Sequence, residues 1–259
     1  MKIRDIEDIF EKFAPNNLQE SYDNSGLIIG NKEEEVRNIL VSLDVTEEII
    51  KEAVEKGCNL IISHHPILFF PVKRLNDNNY VERIIKLAIK NDIALYSIHT
   101  NLDNVIHGVS SKISEKLNLK NTSKLKQNKE LISSSGMIGE LEKEINYKEF
   151  LNNLKTIFKT PSLKFTNPIQ ENIEKIAFCG GAGSFLLEDA IKNGADVFVS
   201  SDFTYHKFFD ADNKIMIVDI GHYEFEQFTT ELIVEYLYSE GLRNIVFSTE
   251  INTNPVNYI

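Results

Sequence analysis

Among the six histidines of this 259-residue chain, two are adjacent, at the end of an apolar run in the segment GCNLIISHHPILFF (residues 57–70). Residues 58–62 read as a buried strand that stops at Ser63-His64-His65-Pro66. Neighbouring side chains at a strand end splay apart, so both rings face one cavity only if the backbone turns there. Pro66 favours such a turn by fixing its own φ and restricting His65. Histidine is the commonest metal ligand but also an ordinary polar loop residue. The pair gains meaning only if further ligands end other strands.

Two more strand ends supply them. Residues 93–98 (IALYSI) run into His99-Thr100-Asn101-Leu102-Asp103, and residues 215–220 (IMIVDI) run into Gly221-His222, with Glu226 four residues on, near His222 if a helix starts by Tyr223. In open parallel sheets the ligand site lies outside the carboxyl ends of the strands. His64, His65, His99, Asp103, His222 and Glu226 are therefore candidates for one site. Imidazole and carboxylate ligands in this number exceed what one tetrahedral ion takes from protein, and a carboxylate can bridge two ions. The mixed donor set suits Zn, Fe, Mn or Co, and no cysteine stands among the candidates. Read from the residues alone, scattered polar loop residues are the alternative. Asp202 and His206 follow a further strand end and are candidates for pocket lining.

The elements that must position these residues form a repeating pattern. Residues 38–43 read as a strand, 46–56 as a helix closed by Gly57, and 58–63 as the next strand, which makes a β-α-β unit. A helix around residues 81–89 and the strand at 93–98 extend it. Shifting by 137 positions lays residues 49–65, IIKEAVEKGCNLIISHH, on residues 186–202, LLEDAIKNGADVFVSSD, without a gap, and residues 38–42 on 175–179. Residues 93–98 then match 215–220 at a shift of 122. Helix face, closing glycine and strand all keep their register, which indicates internal duplication. The fold expected is α/β, with two interleaved α/β domains carrying duplicated β-α-β units. Their bounds are 1–127 plus 214–259 for the metal-binding domain and 128–213 for the second.

Other segments are read more simply. Residues 3–13 form an amphipathic helix before Pro15. Residues 112–129 are a helix running into a lysine-bearing polar junction, and residues 131–141 a strand. Residues 147–158 form another helix, and one further helix runs from Tyr223 to Gly241 with Phe225, Phe228, Leu232 and Leu237 on its apolar side. The Gly180-Gly181-Ala182-Gly183 segment is read as a tight strand-to-helix turn, since it lacks the lysine of a P-loop and the spacing of a dinucleotide fingerprint.

Composition narrows the function classes. Lys and Arg number 28 against 39 Asp and Glu, a net charge of -11, which repels phosphate backbones and anionic membranes. Neither nucleic acid nor a membrane is thus expected as a partner. No apolar run approaches the roughly 20 residues that span a bilayer, and residues 1–13 mix both charge signs, so a cytoplasmic location is expected. Cys58 and Cys179 are too few for a disulfide scaffold and read as buried free thiols.

Five segments together resemble a known family: Ser63-His64-His65-Pro66, residues 99–103 (HTNLD), residues 221–226 (GHYEFE), residues 21–27 (SYDNSGL) and Cys179-Gly180-Gly181. They are similar, in order and across nearly the whole chain, to the NIF-three-like dinuclear metal-binding family, whose members are often labelled GTP cyclohydrolase 1 type 2 homologues. The resemblance implies two divalent metal ions held by His64, His65, Asp103, His222 and Glu226, with His99 beside them; in the hydrolase reading His99, where it is not itself a ligand, is the catalytic group that moves a proton. It also implies a homohexameric ring with the metal sites facing an inner cavity. The activity expected is metal-dependent hydrolysis of a phosphoester, nucleotide or cyclic amide; the alternative is a non-catalytic ring-shaped metal-binding or regulatory interaction protein. The chain departs from the family at Phe225, where a small hydroxyl residue is usual, and at Ser200-Ser201-Asp202, where a Thr-Gly-acid turn is usual.

Overall fold

The computed structural model describes residues 1–127 and 134–259. In chain order the elements begin with α1 (Ile3–Phe13), β1 (Gly26–Ile29), β2 (Ile39–Ser42), α2 (Glu47–Glu55), β3 (Leu60–Ser63), α3 (Tyr80–Lys90), β4 (Ala94–Ser97), α4 (Thr100–Asp103) and α5 (Val109–Lys116). Then follow β5 (Lys120–Gln127), β6 (Ser134–Asn146), α6 (Tyr147–Ile157), β7 (Lys164–Phe165), β8 (Asn172–Phe178), α7 (Leu187–Lys192) and β9 (Val197–Ser200). Last come β10 (Met216–Asp219), α8 (His222–Glu226), α9 (Thr229–Ser239) and β11 (Val246–Ser248).

These elements make two compact units, Met1–Val105 with Thr229–Pro255 and Ile106–Phe228 with Val256–Ile259. The interleaving is as expected, but the boundaries differ from 1–127 plus 214–259 and 128–213. The reason lies in the ladders: β5 pairs with β6, and β10 pairs with β9, so both belong to the sheet of the second unit.

The first unit has a five-stranded sheet in the order β1-β4-β3-β2-β11. The strands β4, β3, β2 and β11 run parallel and β1 closes the edge antiparallel to β4. β2, β3 and β4 are buried throughout, which is why they read as unbroken apolar runs. Leu40, Ile61 and Leu95 from these strands pack with Ile49 and Ala53 of α2 and Ile84 and Ala88 of α3. Local signals place the helices: the Thr46 hydroxyl caps the Ile49 N–H at 3.3 Å, Asn79 caps Glu82 at 3.0 Å, and Gly57 turns the chain out of α2 at φ +66°. α1 buries Ile3, Ile6 and Phe10, and Phe10 stacks on Tyr96 with ring centroids 5.4 Å apart.

The second unit has a six-stranded sheet in the order β5-β6-β8-β9-β10-β7. β8, β9 and β10 are parallel; β6, β5 and β7 are antiparallel additions. Here the duplication becomes a matter of register. Ile39 stands opposite Leu60 in the first unit and Ile176 opposite Val197 in the second, each displaced by 137. Leu60 stands opposite Ala94, and Val197 opposite Met216, the latter shifted by 122. Both β-α-β units therefore share one pairing scheme.

Two expectations are corrected. The polar lysine segment before residue 128 is an edge strand, β5, whose charges keep an exposed edge from pairing further; the rest of that junction and the first residues of the strand expected at 131–141 lie outside the described residues. The helix expected from Tyr223 to Gly241 is broken after Glu226. The Gln227 side chain donates to the Glu224 carbonyl at 2.8 Å, competing with the backbone N–H that would continue the helix. Among the described residues no helix is long and apolar enough to cross a membrane.

Candidate functional site

In the first unit the parallel ladder runs one step beyond β3: the His64 N–H donates to the Ser42 carbonyl at 3.3 Å and the His65 N–H to the Leu43 carbonyl at 3.0 Å. This holds both histidines at the carboxyl end of the sheet, and the end of β4 delivers His99 as the residue capping α4. The three rings cluster, with centroids 5.0 Å apart for His64 and His65, 5.2 Å for His64 and His99, and 5.4 Å for His65 and His99. One ring nitrogen from each lies within 4.8 Å of the other two. Asp103, one turn along α4, places Oδ1 3.8 Å from His64 Nε2.

Each ring is held by its Nδ1. That of His64, which is fully buried, lies 2.8 Å from the Ile98 carbonyl; that of His65 lies 2.7 Å from Asp44 Oδ1; that of His99 lies 2.7 Å from Asp23 Oδ1. A carbonyl or an ionised carboxylate only accepts, so every Nδ1 carries a proton, and in the neutral ring the lone pair is then on Nε2. This is the tautomer a metal-ligating histidine needs, with the anchor that usually fixes it.

The anchors are themselves fixed. Asp23 accepts from the Asn24 N–H at 2.7 Å, the Thr100 N–H at 3.0 Å and the hydroxyls of Ser25 and Thr100. Burial disfavours its charge, but the hydrogen bond and charge of His99, then Thr100 and Asn24, outweigh burial and hold the carboxyl well below the usual carboxylate range. Asp44 behaves alike: burial opposes ionisation, and His65 with Thr253, whose hydroxyl donates at 2.7 Å, lowers the carboxyl nonetheless.

In the second unit, β10 leads through Gly221, at φ +95°, into α8, whose first residue is His222. His222 Nε2 lies 2.9 Å from Glu226 Oε2, and its Nδ1 lies 2.6 Å from Asp202 Oδ2. The charge of Glu226 acts most strongly on the ring, burial opposes it and Asp202 adds to it, so His222 is pushed up to about 11. The two carboxylates thus favour the protonated form of the ring. The turn after β8 comes close to this pair. Gly181 has φ +62°, and a Cβ there would sit 2.6 Å from Glu226 Oε1. The glycine segment is thus a tight turn packed on the acid.

The remaining candidate is not part of either group. His206 is exposed in a 3-10 stretch (Tyr205–Ala211), its ring 5.2 Å from Tyr205 and 6.2 Å from Phe209. Asp202, by contrast, touches His222 directly. Both cysteines are free; Cys58 is buried and its thiol is pushed up to about 11 by that burial, whereas Cys179 is only partly buried.

A family model described as Duf34/NIF3 (NGG1p interacting factor 3) matches residues 1–255. The chain belongs to the DUF34/NIF3 family. A Clostridium perfringens protein named GTP cyclohydrolase 1 type 2 homolog is 40% identical over 232 residues, 87% of either chain. A Campylobacter jejuni protein of the same name is 33% identical over 259 residues, the full length of both. Among solved structures, Staphylococcus aureus protein SA1388 superposes with a TM-score of 0.90 at 30% identity, covering 100% of this chain and 99% of its own. Reduced HcgD from Methanocaldococcus jannaschii gives 0.81 at 29% identity, covering 97% and 98%.

Within this DUF34/NIF3 chain, sequence reasoning located every histidine of the two groups and missed the anchoring role of Asp23 and Asp44. Asp44 lies just beyond the end of β2, so the strand-end criterion that found the histidines applies to it equally. Asp23 lies in residues 21–27, one of the segments that carry the family resemblance, but its partner His99 is 76 positions away, so the contact itself has no local signal.

Proposed function

We propose that this chain is a metal-dependent hydrolase that holds two divalent ions, of Zn, Fe, Mn or Co, with His64, His65, Asp103, His222 and Glu226. The carrying observation is the set of three Nδ1-anchored imidazoles, an anchoring that leaves the lone pair of each neutral ring on Nε2; a chance cluster of polar loop residues has no need of matched anchors. The donors are nitrogen and carboxylate oxygen, which fits these metals and disfavours thiolate-seeking ones. A bound divalent ion supplies Lewis acidity, lowering the pKa of a water and polarising the electrophile.

The chain's own residues supply the rest. Asp44 and the Ile98 carbonyl orient His65 and His64, so those rings need not reorganise. His99 stands beside them with Asp23 behind it. Its Nε2 accepts a proton from the attacking water and passes it to the leaving group, while Asp23 keeps Nδ1 protonated and offsets the imidazolium charge. The substrate class that the relatives' names suggest is a nucleotide; phosphoesters and cyclic amides suit the same chemistry. The hexameric ring implied by the family belongs to this proposal too.

Metal content per chain tests the reading, measured on the parent, His65→Ala and Glu226→Ala, together with hydrolysis of a panel of phosphoesters, nucleotides and cyclic amides. Two ions in the parent, lost in the variants along with turnover, is the expected result. Metal without turnover of any panel member removes the hydrolase reading. No metal after reconstitution removes the metal reading as well.

A further inference from the structure

Beside the histidines of the first unit opens a cavity of about 810 Å³, with His65 and Asp44 in its wall. Ile67, Phe69, Phe70, Val72 and Tyr80 give it an apolar lining, and Phe70 and Tyr80 are left 76% and 62% exposed. Bare aromatic faces in a concavity are what an apolar ring covers at least cost in hydration. Besides the His65 ring, this wall carries the acids Asp44, Glu47 and Glu48; among the described residues lining it there is no lysine or arginine.

The wall also includes the N-terminus of α2, a position that commonly seats phosphate. Here the seat is filled. The Thr46 hydroxyl takes the Ile49 N–H and the Glu48 carboxylate is held by its own backbone N–H and by Thr46, so an acid of the helix stands where an anion would bind, while Glu47 beside it pairs with Arg83 at 2.7 Å. Across residues 69–72 lies a second cavity of about 540 Å³, in which Asp23 is the one charged residue among the described lining. Among the described residues, neither cavity is lined by a lysine or arginine.

We propose that the larger cavity is the substrate subsite of the histidine centre and takes an uncharged or cationic ring compound, such as a cyclic amide or cyclic amine, while excluding phosphorylated ligands. For its chemistry this rests on the hydrolase reading above, and it narrows that reading's three substrate classes to one. For binding it rests on the cavity alone.

The test compares two ligands with the same ring, 5-benzylhydantoin and benzyl phosphate, titrated at pH 7 into the full-length protein by calorimetry, before and after metal removal with EDTA. The metal-stripped protein is expected to bind the hydantoin at least about tenfold more tightly than the phosphate. Phe70→Ala should weaken hydantoin binding about tenfold, and Glu48→Lys should erase the preference; both positions are exposed, so the variants keep the fold. Equal binding of the two ligands, binding of neither, or a preference that survives Glu48→Lys would overturn the proposal. Metal content and turnover are read on the same samples. Hydantoin binding without metal or turnover leaves the subsite standing and the hydrolase fallen; metal and phosphoester turnover without hydantoin binding does the reverse.

Discussion

Gly181→Ala, set beside Gly194→Ala, separates backbone strain from the geometry of the acid in the second unit. Both glycines have left-handed backbone, at φ +62° and +69°, so alanine costs about 1–2 kcal/mol at either one. Their surroundings differ: a Cβ at 194 meets nothing within 4 Å, whereas a Cβ at 181 falls 2.6 Å from Glu226 Oε1. A carboxylate oxygen ends a flexible side chain and moves cheaply unless something holds it. Glu226 is held, its side chain 3% exposed and bonded to His222 at 2.9 Å. Displacing it breaks a charge-assisted hydrogen bond of about 1.5–3 kcal/mol, and the partly exposed His222 ring places this at the lower end. Urea unfolding of metal-stripped protein should therefore show Gly181→Ala destabilised by about 3 kcal/mol and Gly194→Ala by about 1–2 kcal/mol. Metal content should fall in the first variant alone. Equal losses of stability, with metal retained in both, would refute the argument that Glu226 is fixed by the turn.

The other expected outcomes concern the anchoring groups. Asp23→Asn brings an amide N–H against the Thr100 N–H and should cost about 1–3 kcal/mol in urea unfolding. Because the Asp23 carboxyl is lowered from its ordinary 3.8, its contribution is present above that pH and lost as pH falls through the folded value, so the gap between parent and variant should close in acid; a gap constant with pH would contradict it. His222 is raised from 6.5 to about 11, and the sign reverses: its ion pairs contribute fully below pH 6.5 and fade as pH rises towards 11. The difference in unfolding midpoint between metal-free parent and His222→Gln should accordingly shrink from pH 6 to pH 10. Asp44→Ala should leave the fold intact and weaken metal affinity by about 10–100-fold, read by chelator competition, as loss of a carboxylate behind a ligating histidine usually does; unchanged affinity would remove His65 from the ligand set.

What was legible in the sequence follows from which forces act locally. β2, β3 and β9 are buried on both faces, so their apolar runs and the turns after them announce themselves, and the shared register of Ile39 with Leu60 and Ile176 with Val197 was visible as a 137-residue repeat. β1 and β11 are short outer strands whose pairing comes from β4 and β2, so nothing in their own few residues marks them. β5 was hidden by lysines that protect an edge, and the break after Glu226 by one glutamine side chain taking a carbonyl. Histidines at strand ends are local features; Asp23, joined to His99 across 76 positions, is a product of the fold.

The duplication explains why similar strand ends perform differently. Capping residues correspond at the 122 shift, His99 for α4 and Gly221 for α8. Each unit also carries a histidine and an acid four residues apart, His99 with Asp103 and His222 with Glu226, but the second pair is slipped by one position relative to its cap. One residue turns a side chain by about 100° around a helix. In the second unit both members lie within the helix and bond each other at 2.9 Å. In the first the histidine is the cap itself, turned to Asp23, and the acid lies 3.8 Å from His64. The second position after β3 has changed type as well. His65 is backed by Asp44, whereas its counterpart 137 residues on, Asp202, backs His222, and the counterpart of Asp44 is Gly181, pressed against Glu226. Each unit thus has histidine-carboxylate bonds at its strand ends, with the partners drawn from positions that do not correspond under the repeat.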